Sequence, residues 1–216
     1  MKTLVIDIGG TTVKIIATGV DTSRKIISGR EMTPEKMVAE VKAAAADWDY
    51  ERISIGYPGP VIDGKPAYEP RNLGRGWLGF DFAKAFGYPI KIINDAALQA
   101  LGSYSGGRML FMGIGTGLGT ALVIEGIVQP TELAHLPYKN DRSFEDYVGK
   151  LALEVHGQEE WSKDVRKAIE LLKAATQTEY VVLGGGNARL VKDLPKGTII
   201  GSNDNAFKGG FRLWDS

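Results

Sequence analysis

Two segments share one pattern: Ile6 to Ile16 reads IDIGGTTVKII, and Met112 to Leu122 reads MGIGTGLGTAL. Each is an apolar run, a tight Gly/Thr turn and a second apolar run, as in two strands joined by a hairpin. Glycine tolerates backbone conformations that other residues avoid, and it lets a phosphate approach the main chain closely. One such turn constrains little, because any hairpin can be built this way. Two of them, one near the start of each half, point to a duplicated fold holding one phosphorylated ligand from both sides.

The chain has 216 residues, enough for one large domain or two small lobes with real cores. Lys plus Arg equals Asp plus Glu at 26 each, so no global basic field of the nucleic-acid-binding kind exists. A local basic groove stays open. With no cysteine, a disulfide framework and a thiolate metal site are excluded, and two histidines exclude a histidine-rich metal site. No apolar stretch is long enough to span a bilayer. Met1-Lys2 leads straight into TLVIDI, so no signal peptide is expected. The composition predicts a soluble, cytoplasmic, globular protein.

Lys2 to Asp7 reads as a buried strand, Val13 to Thr18 as its hairpin partner and Lys25 to Ser28 as a third strand. A helix follows, with Thr33 as N-cap, Pro34 at the first position and Met37, Val38, Val41, Ala45 and Trp48 on one face. Arg52 to Tyr57 is the next strand. A Gly-, Pro- and Arg-rich loop from Pro58 to about Trp77 reads as too polar and broken for core. Phe80 to Phe86 reads as a short helix, Ile90 to Ile93 as a strand and Ala96 to Tyr104 as a helix. The second half restates this order. Strands are predicted at Met109 to Ile114 and Gly119 to Ile124, with Val128 on a third. Helices are predicted at Ser143 to about Leu153 and Trp161 to about Ala175. Tyr180 to Leu183 is a strand running into Gly184-Gly185-Gly186, and Asn187 should open another helix. Thr198 to Ile200 is the last strand and Asn205 to Leu213 the last helix. The fold class is therefore α/β with an internal duplication, its two lobes packed around a central cleft. Residues 1–105 form the first lobe, joined by a C-terminal helix at 204–216, and residues 106–203 form the second.

Neither glycine-rich segment is a Walker A loop, since no Gly-Lys-Ser/Thr follows, and neither is a dinucleotide fingerprint, since a strand and not a helix comes next. The remaining use is a set of backbone N–H groups wrapping phosphate oxygens. Thr11, Thr12 and Thr116 add hydroxyls, Lys14 emerges just past the first turn, and Asp7 ends its strand where it can hold Mg²⁺ through water. The bland reading of the first segment is an ordinary hairpin with a solvated Asp. Asn94-Asp95 stands where a strand gives way to a helix, which fits either an N-cap or a general base toward a substrate hydroxyl. The run PRNLGRGW, Pro70 to Trp77, is either a solvated surface loop or a ligand-facing lid with Asn72 as a hydrogen-bonding group. Glu132 and His135, in TELAHLPY, are either a surface turn or polar groups converging on a hydroxylated ligand.

Taken in order, these pieces resemble the ROK family of sugar kinases, which has the actin-like ATPase (ribonuclease H-like) fold. The resemblance is carried by DIGGT with Lys14, GYPGP at Gly56 to Pro60, Asn72-Leu73 with Trp77, and Asn94-Asp95. It continues through GIGTGLG at Gly113 to Gly119, Glu132-Leu133-Ala134-His135 and Gly184-Gly185-Gly186. It implies that Asp95 is the catalytic base for a hexose 6-hydroxyl, most expected to be glucose. Asn72, Asn94, Asp95, Glu132 and His135 would bind the sugar, joined by Glu145 of SFEDYVG. Gly9, Gly10, Thr11, Thr12, Lys14, Gly115, Thr116, Gly117, Gly184, Gly185 and Gly186 would bind the phosphate donor, and Asp7 would serve both the donor and Mg²⁺.

Ala134 replaces the family's usual Gly, and the Cys-rich zinc segment is missing, so no structural zinc is expected. That gap, the short chain and TELAH preceded by VQP resemble the polyphosphate glucokinase branch, whose donor is polyphosphate, ATP or both. A polyphosphate user should line the cleft with cations, for which Lys14, Arg71, Arg75 and Arg108 are candidates; solvated surface charge is the bland alternative. The resemblance also implies a homodimer. Met1 lies close before the first strand, so the DNA-binding module of the family's repressors is not expected, nor any nucleic-acid or membrane partner. The competing readings are a non-catalytic sugar sensor, an ATP-only kinase for another hexose and a phosphatase of the same fold; Asn94-Asp95 and Glu132/His135 disfavour the last.

Overall fold

The computed structural model describes residues 1–202 and 204–215. Asn203, at the predicted end of the second lobe, and Ser216, at the end of the predicted C-terminal segment, lie outside the described residues. The chain divides into two compact units, Met1–Leu98 with Ala206–Ser216, and Gln99–Asn205.

The first unit is built on β1 (Thr3–Ile8), β2 (Thr12–Ala17) and β3 (Arg24–Ile27), then α1 (Pro34–Ala44) and β4 (Arg52–Tyr57). A two-strand ribbon follows, β5 (Val61–Ile62) and β6 (Lys65–Pro66), then α2 (Phe82–Phe86), β7 (Ile90–Asn94) and the start of α3 (Asp95–Ser103). The sheet order is β3-β2-β1-β4-β7. β1 lies between a hairpin partner and a parallel partner, so TLVIDI is buried almost throughout and reads as a continuous apolar run. At the edge, β3 exposes alternate residues and carries Arg24 and Lys25, which discourage further strand pairing. The Thr33 hydroxyl accepts from the Lys36 N–H, Pro34 opens α1, and Met37, Val38 and Val41 are buried.

The second unit repeats the plan with β8 (Arg108–Ile114), β9 (Leu118–Ile124) and β10 (Ile127–Thr131), then a ribbon of β11 (Pro137–Lys139) and β12 (Arg142–Ser143). Next come α4 (Phe144–Val148), α5 (Lys150–Thr176), β13 (Tyr180–Gly184) and β14 (Thr198–Ile200). Its sheet order, β10-β9-β8-β13-β14, has the same sequence of hairpins and parallel pairs as the first. Trp161, Val165 and Ile169 of α5 pack on Leu110, Met112 and Ile114 of β8. The chain ends in α6 (Asn205–Arg212), most of which belongs to the first unit. There Ser54 donates to the Gly210 carbonyl at 2.6 Å, and Trp214 Nε1 donates to Ser54 Oγ at 2.8 Å.

Three expectations change. The helix breaks fall at Gly149, which is extended, and at Gly157 (φ 76°), inside the gap that the sequence predicts between Leu153 and Trp161, but residues 154 to 156 and 158 to 160 on either side of Gly157 are helical. The stretch is solvent-facing and held by charge, with Lys150–Glu154 and Lys163–Glu159 ion pairs, so it carries no apolar period to read. Asn187 opens no helix beyond a single 3₁₀ turn, Ala188–Leu190, because Asp193 (φ 52°) and Pro195 redirect the chain. The loop read as too polar for core carries Leu73 and Trp77 into it, and Trp77 is fully buried. Among the described residues, no helix is long and apolar enough to cross a membrane.

Candidate active site

In the first unit the C-terminal ends of the parallel strands β1, β4 and β7 lie side by side, the usual place for ligands in such sheets. Asp7 pairs in register with Gly56, Gly56 with Ile93, and Tyr57 with Asn94. A Cβ on Gly56 would stand 2.7 Å from Leu98 Cδ2, 3.5 Å from Asp7 Oδ1 and 3.6 Å from the Asp95 Cα. Glycine at 56 is what lets the start of α3 pack against β4 across from the Asp7 carboxylate. The Asp95 Oδ1 accepts from the Ala96 N–H at 2.7 Å, which orients the carboxylate at the helix start. Asn94 caps the same helix, its Oδ1 accepting from the Ala97 N–H at 3.1 Å and its Nδ2 donating to the Gly59 carbonyl at 3.1 Å. The N-cap reading therefore describes Asn94, while Asp95 is half-buried, with its backbone across Gly56 from the Asp7 carboxylate.

Burial pushes the Asp7 carboxyl above the ordinary range, and Lys14, its register partner on β2, partly opposes this. Among the described residues there is no cluster of three or more His, Cys, Asp or Glu that could hold a metal ion. A desolvated carboxylate at the end of a strand still suits Mg²⁺, which keeps several waters and takes one or two carboxylates plus phosphate oxygens. Asp7 is the residue that would hold it.

The first Gly/Thr turn is closed by Gly9 N–H to Thr12 O at 3.0 Å and braced by Ser28, whose N–H donates to Thr11 O and whose hydroxyl donates to Gly9 O. The Gly10 and Thr11 N–H groups have no acceptor among the described residues. Two successive bare N–H groups make an anion-binding concavity. Asn72 lies over this turn, its Cβ 3.0 Å from where a Cβ on Gly10 would be. Its loop is pinned, not loose. The Glu69 carboxylate accepts from the Gly76, Trp77 and Leu78 N–H groups, Trp77 Nε1 donates to Gly74 O at 2.8 Å, and Tyr57 OH donates to Tyr68 O. Arg71 and Arg75 on this loop are exposed.

In the second unit, Gly115 N–H donates to Gly117 O at 3.0 Å, and the Thr116 and Gly117 N–H groups again lack acceptors among the described residues. The Gly184-Gly185-Gly186 segment sits on this turn. Gly185 has φ +84°, and a Cβ there would overlap the Ile114 backbone. Asn187 donates from its N–H to Ile114 O at 3.2 Å and from Nδ2 to Gly115 O at 3.4 Å. Beside them a small pocket, open to solvent, is lined by Gly185, Gly186, Ala188, Arg189, Ile200 and Gly201. Arg189 carries no motif by which the sequence would single it out. Arg108 lies at the end of β8 away from the turn, with Nε bonded to Gln177 O at 3.1 Å.

Glu132 and His135 flank the 3₁₀ turn Leu133–His135, with Oε2 and Nε2 3.5 Å apart and both side chains about half exposed. The Thr120 hydroxyl anchors this turn by accepting from the Leu133 N–H. Ala134 is buried, which accounts for a small residue there. Glu145 Oε2 accepts from the Leu118 N–H at 3.1 Å, placing that carboxylate on the second Gly/Thr turn.

The model of the ROK family matches residues 3–132 of the chain. A polyphosphate glucokinase of Mycobacterium tuberculosis (strain CDC 1551 / Oshkosh) is 26% identical over 208 residues, covering 85% of this chain and 77% of its own. An N-acetylmannosamine kinase of Escherichia coli O157:H7 is 32% identical over 142 residues, 58% of this chain and 48% of its own. The crystal structure of an inorganic polyphosphate/ATP-glucomannokinase from Arthrobacter sp. strain KM superposes with a TM-score of 0.81 over 96% of each chain, at 22% identity, and so shares the fold.

Proposed function

The chain belongs to the ROK family, and from that premise we propose that it is a sugar kinase of the polyphosphate glucokinase type. It transfers a phosphoryl group from polyphosphate, ATP or both to the 6-hydroxyl of a hexose, glucose first. The observation that carries this reading is the grouping of Asp7, Asp95 and the bare N–H groups of Gly10 and Thr11 at one end of one sheet. An oriented carboxylate beside a phosphate-sized nest is what phosphoryl transfer to a hydroxyl requires.

In the proposed mechanism Asp95 accepts the proton of the attacking hydroxyl. Asn94 holds the start of α3 and so fixes that carboxylate. The Gly10, Thr11, Thr116 and Gly117 N–H groups hold donor phosphate oxygens, and Gly184 to Gly186 back the second turn. Lys14 offsets the charge of Asp7. Mg²⁺, when bound through Asp7 and water, neutralises phosphate charge. Asn72, Glu132, His135 and Glu145 are the further sugar-binding groups we assign. Catalysis of this kind comes mainly from positioning and charge neutralisation. A homodimer in the cytoplasm completes the proposal.

A coupled assay for hexose 6-phosphate tests it, crossing glucose, mannose and N-acetylmannosamine with ATP and long-chain polyphosphate at two salt concentrations. Turnover of glucose with polyphosphate, weakening as salt rises, is the expected result, because exposed charges are screened beyond about 8 Å at physiological ionic strength. Equal or better turnover with ATP alone assigns the donor to ATP. No hexose 6-phosphate from any pair overturns the kinase reading and leaves the sensor.

A further inference from the structure

We infer that Glu145 is a positioning residue for the phosphate donor: its carboxylate sets the backbone of the Gly115–Leu118 turn. The inference rests on that turn being donor-binding, as proposed above, and adds to Glu145 a task distinct from contact with sugar.

Three contacts tie the turn to the segment Ser143–Lys150. The Leu118 N–H donates to Glu145 Oε2 at 3.1 Å. The Lys150 N–H donates to Thr116 O at 3.2 Å. Gly149 lies flat against the turn, so that a Cβ on it would stand 3.0 Å from Thr116 O. The carboxylate also explains the glycine at 117, whose φ is not positive. A Cβ there would overlap Glu145 Oε2 and come within 2.9 Å of the carboxyl carbon.

Glu145 is itself fixed. Ser143 and Asp146 form a capping box around it, and its carbonyl accepts from the Gly149 N–H at 2.9 Å. A carboxylate so near an anion site repels phosphate unless its charge is engaged. Here the Leu118 N–H engages it, and the turn is left with the Thr116 and Gly117 N–H groups bare. The geometry thus divides the four N–H donors of the turn, those of Gly115 and Leu118 for the protein and those of Thr116 and Gly117 for phosphate.

The test is a set of donor and hexose KM values for four variants, each checked for an intact fold by its melting curve. Glu145→Ala is expected to raise the donor KM about tenfold, the factor for one hydrogen bond to a charged group. Glu145→Gln keeps an acceptor oxygen for Leu118, and its donor KM should stay within about threefold of the parent whatever happens to the hexose KM. Gly117→Ala, which displaces the carboxylate, should raise the donor KM like Glu145→Ala. In the Glu145→Ala background the same change should add nothing, since the two act through one contact. A Glu145→Ala variant altered only in hexose KM overturns the inference, as does a Gly117→Ala effect of equal size with and without Glu145. Calorimetric binding of tripolyphosphate separates the two readings. Protein that binds it without turnover refutes the kinase but not the positioning, and is then compared by affinity in the same four variants. Protein that binds none refutes the donor turn, and the inference with it.

Discussion

Asp95 and Asp7 sit together for different reasons, and substitution separates them. Asp95 is presented by the first turn of α3, with one oxygen oriented by the Ala96 N–H. Asp95→Asn keeps the volume and the oxygen that accepts from Ala96, so the fold and glucose affinity should survive. Loss of a general base costs ~10²–10⁴-fold in turnover. The coupled hexose 6-phosphate assay checks this, and a near-parental rate removes Asp95 from the role. Asp7 carries a stability cost. Its carboxyl is raised by burial, so the folded protein favours the protonated form. The penalty is absent below the unfolded value near 4, grows as pH rises toward the folded value, and is full above it. In chelator, Asp7→Asn should therefore melt higher than the parent at pH 7 and converge with it toward pH 4, while losing turnover. Melting curves across that range decide it; parallel pH profiles for the two proteins would sink the argument.

At the scale of elements, most strands of the two five-stranded sheets were legible to within a residue or so because each is an apolar run bounded by Gly, Pro or charge. The short ribbons β5-β6 and β11-β12, which have no such run, were not. The Gly/Thr turns were equally legible, since a hairpin with bare N–H groups needs few side chains and those few are distinctive. What failed were features that one distant contact decides. Nothing in a polar loop announces that Trp77 will be fully buried against Tyr57 and Phe82, or that Glu69 will gather three N–H groups beneath it. Nor does the solvent-facing stretch around Gly157 show how far helix runs on either side of it. Glu145 was visible as a candidate, but its hold on Leu118 required the fold. The pinned loop makes a prediction. Trp77→Ala removes the buried ring and should cost about 3–5 kcal/mol, read from urea unfolding. Because the loop also sets Asn72 over Gly10, the hexose KM should rise too. A loop that only covers the surface would show neither effect.

At the scale of the whole molecule, the first unit takes α6 from the far end of the sequence and closes it over β1 and β4. One close approach is at Gly210. A Cβ there would overlap Val5 Cγ1 and stand 2.6 Å from Val5 Cγ2 and 3.0 Å from Val5 Cβ, on a side chain with no exposed surface. Two effects of Gly210→Ala oppose each other. Alanine gains up to about 1 kcal/mol over glycine in a helix interior. Forcing a methyl into a filled core costs about 1–3 kcal/mol. The overlap involves three atoms of a β-branched residue fixed within a central strand, so the packing cost should win and the substitution should destabilise. Val5→Ala alone opens a cavity and also destabilises. The pair should be less harmful than the sum of the two, because the added methyl occupies the space that Val5 vacates. Urea unfolding of the four proteins gives the coupling directly. Strict additivity would mean that α6 shifts away from the sheet without cost, and that the close approach of Gly210 to Val5 does not hold the first unit together.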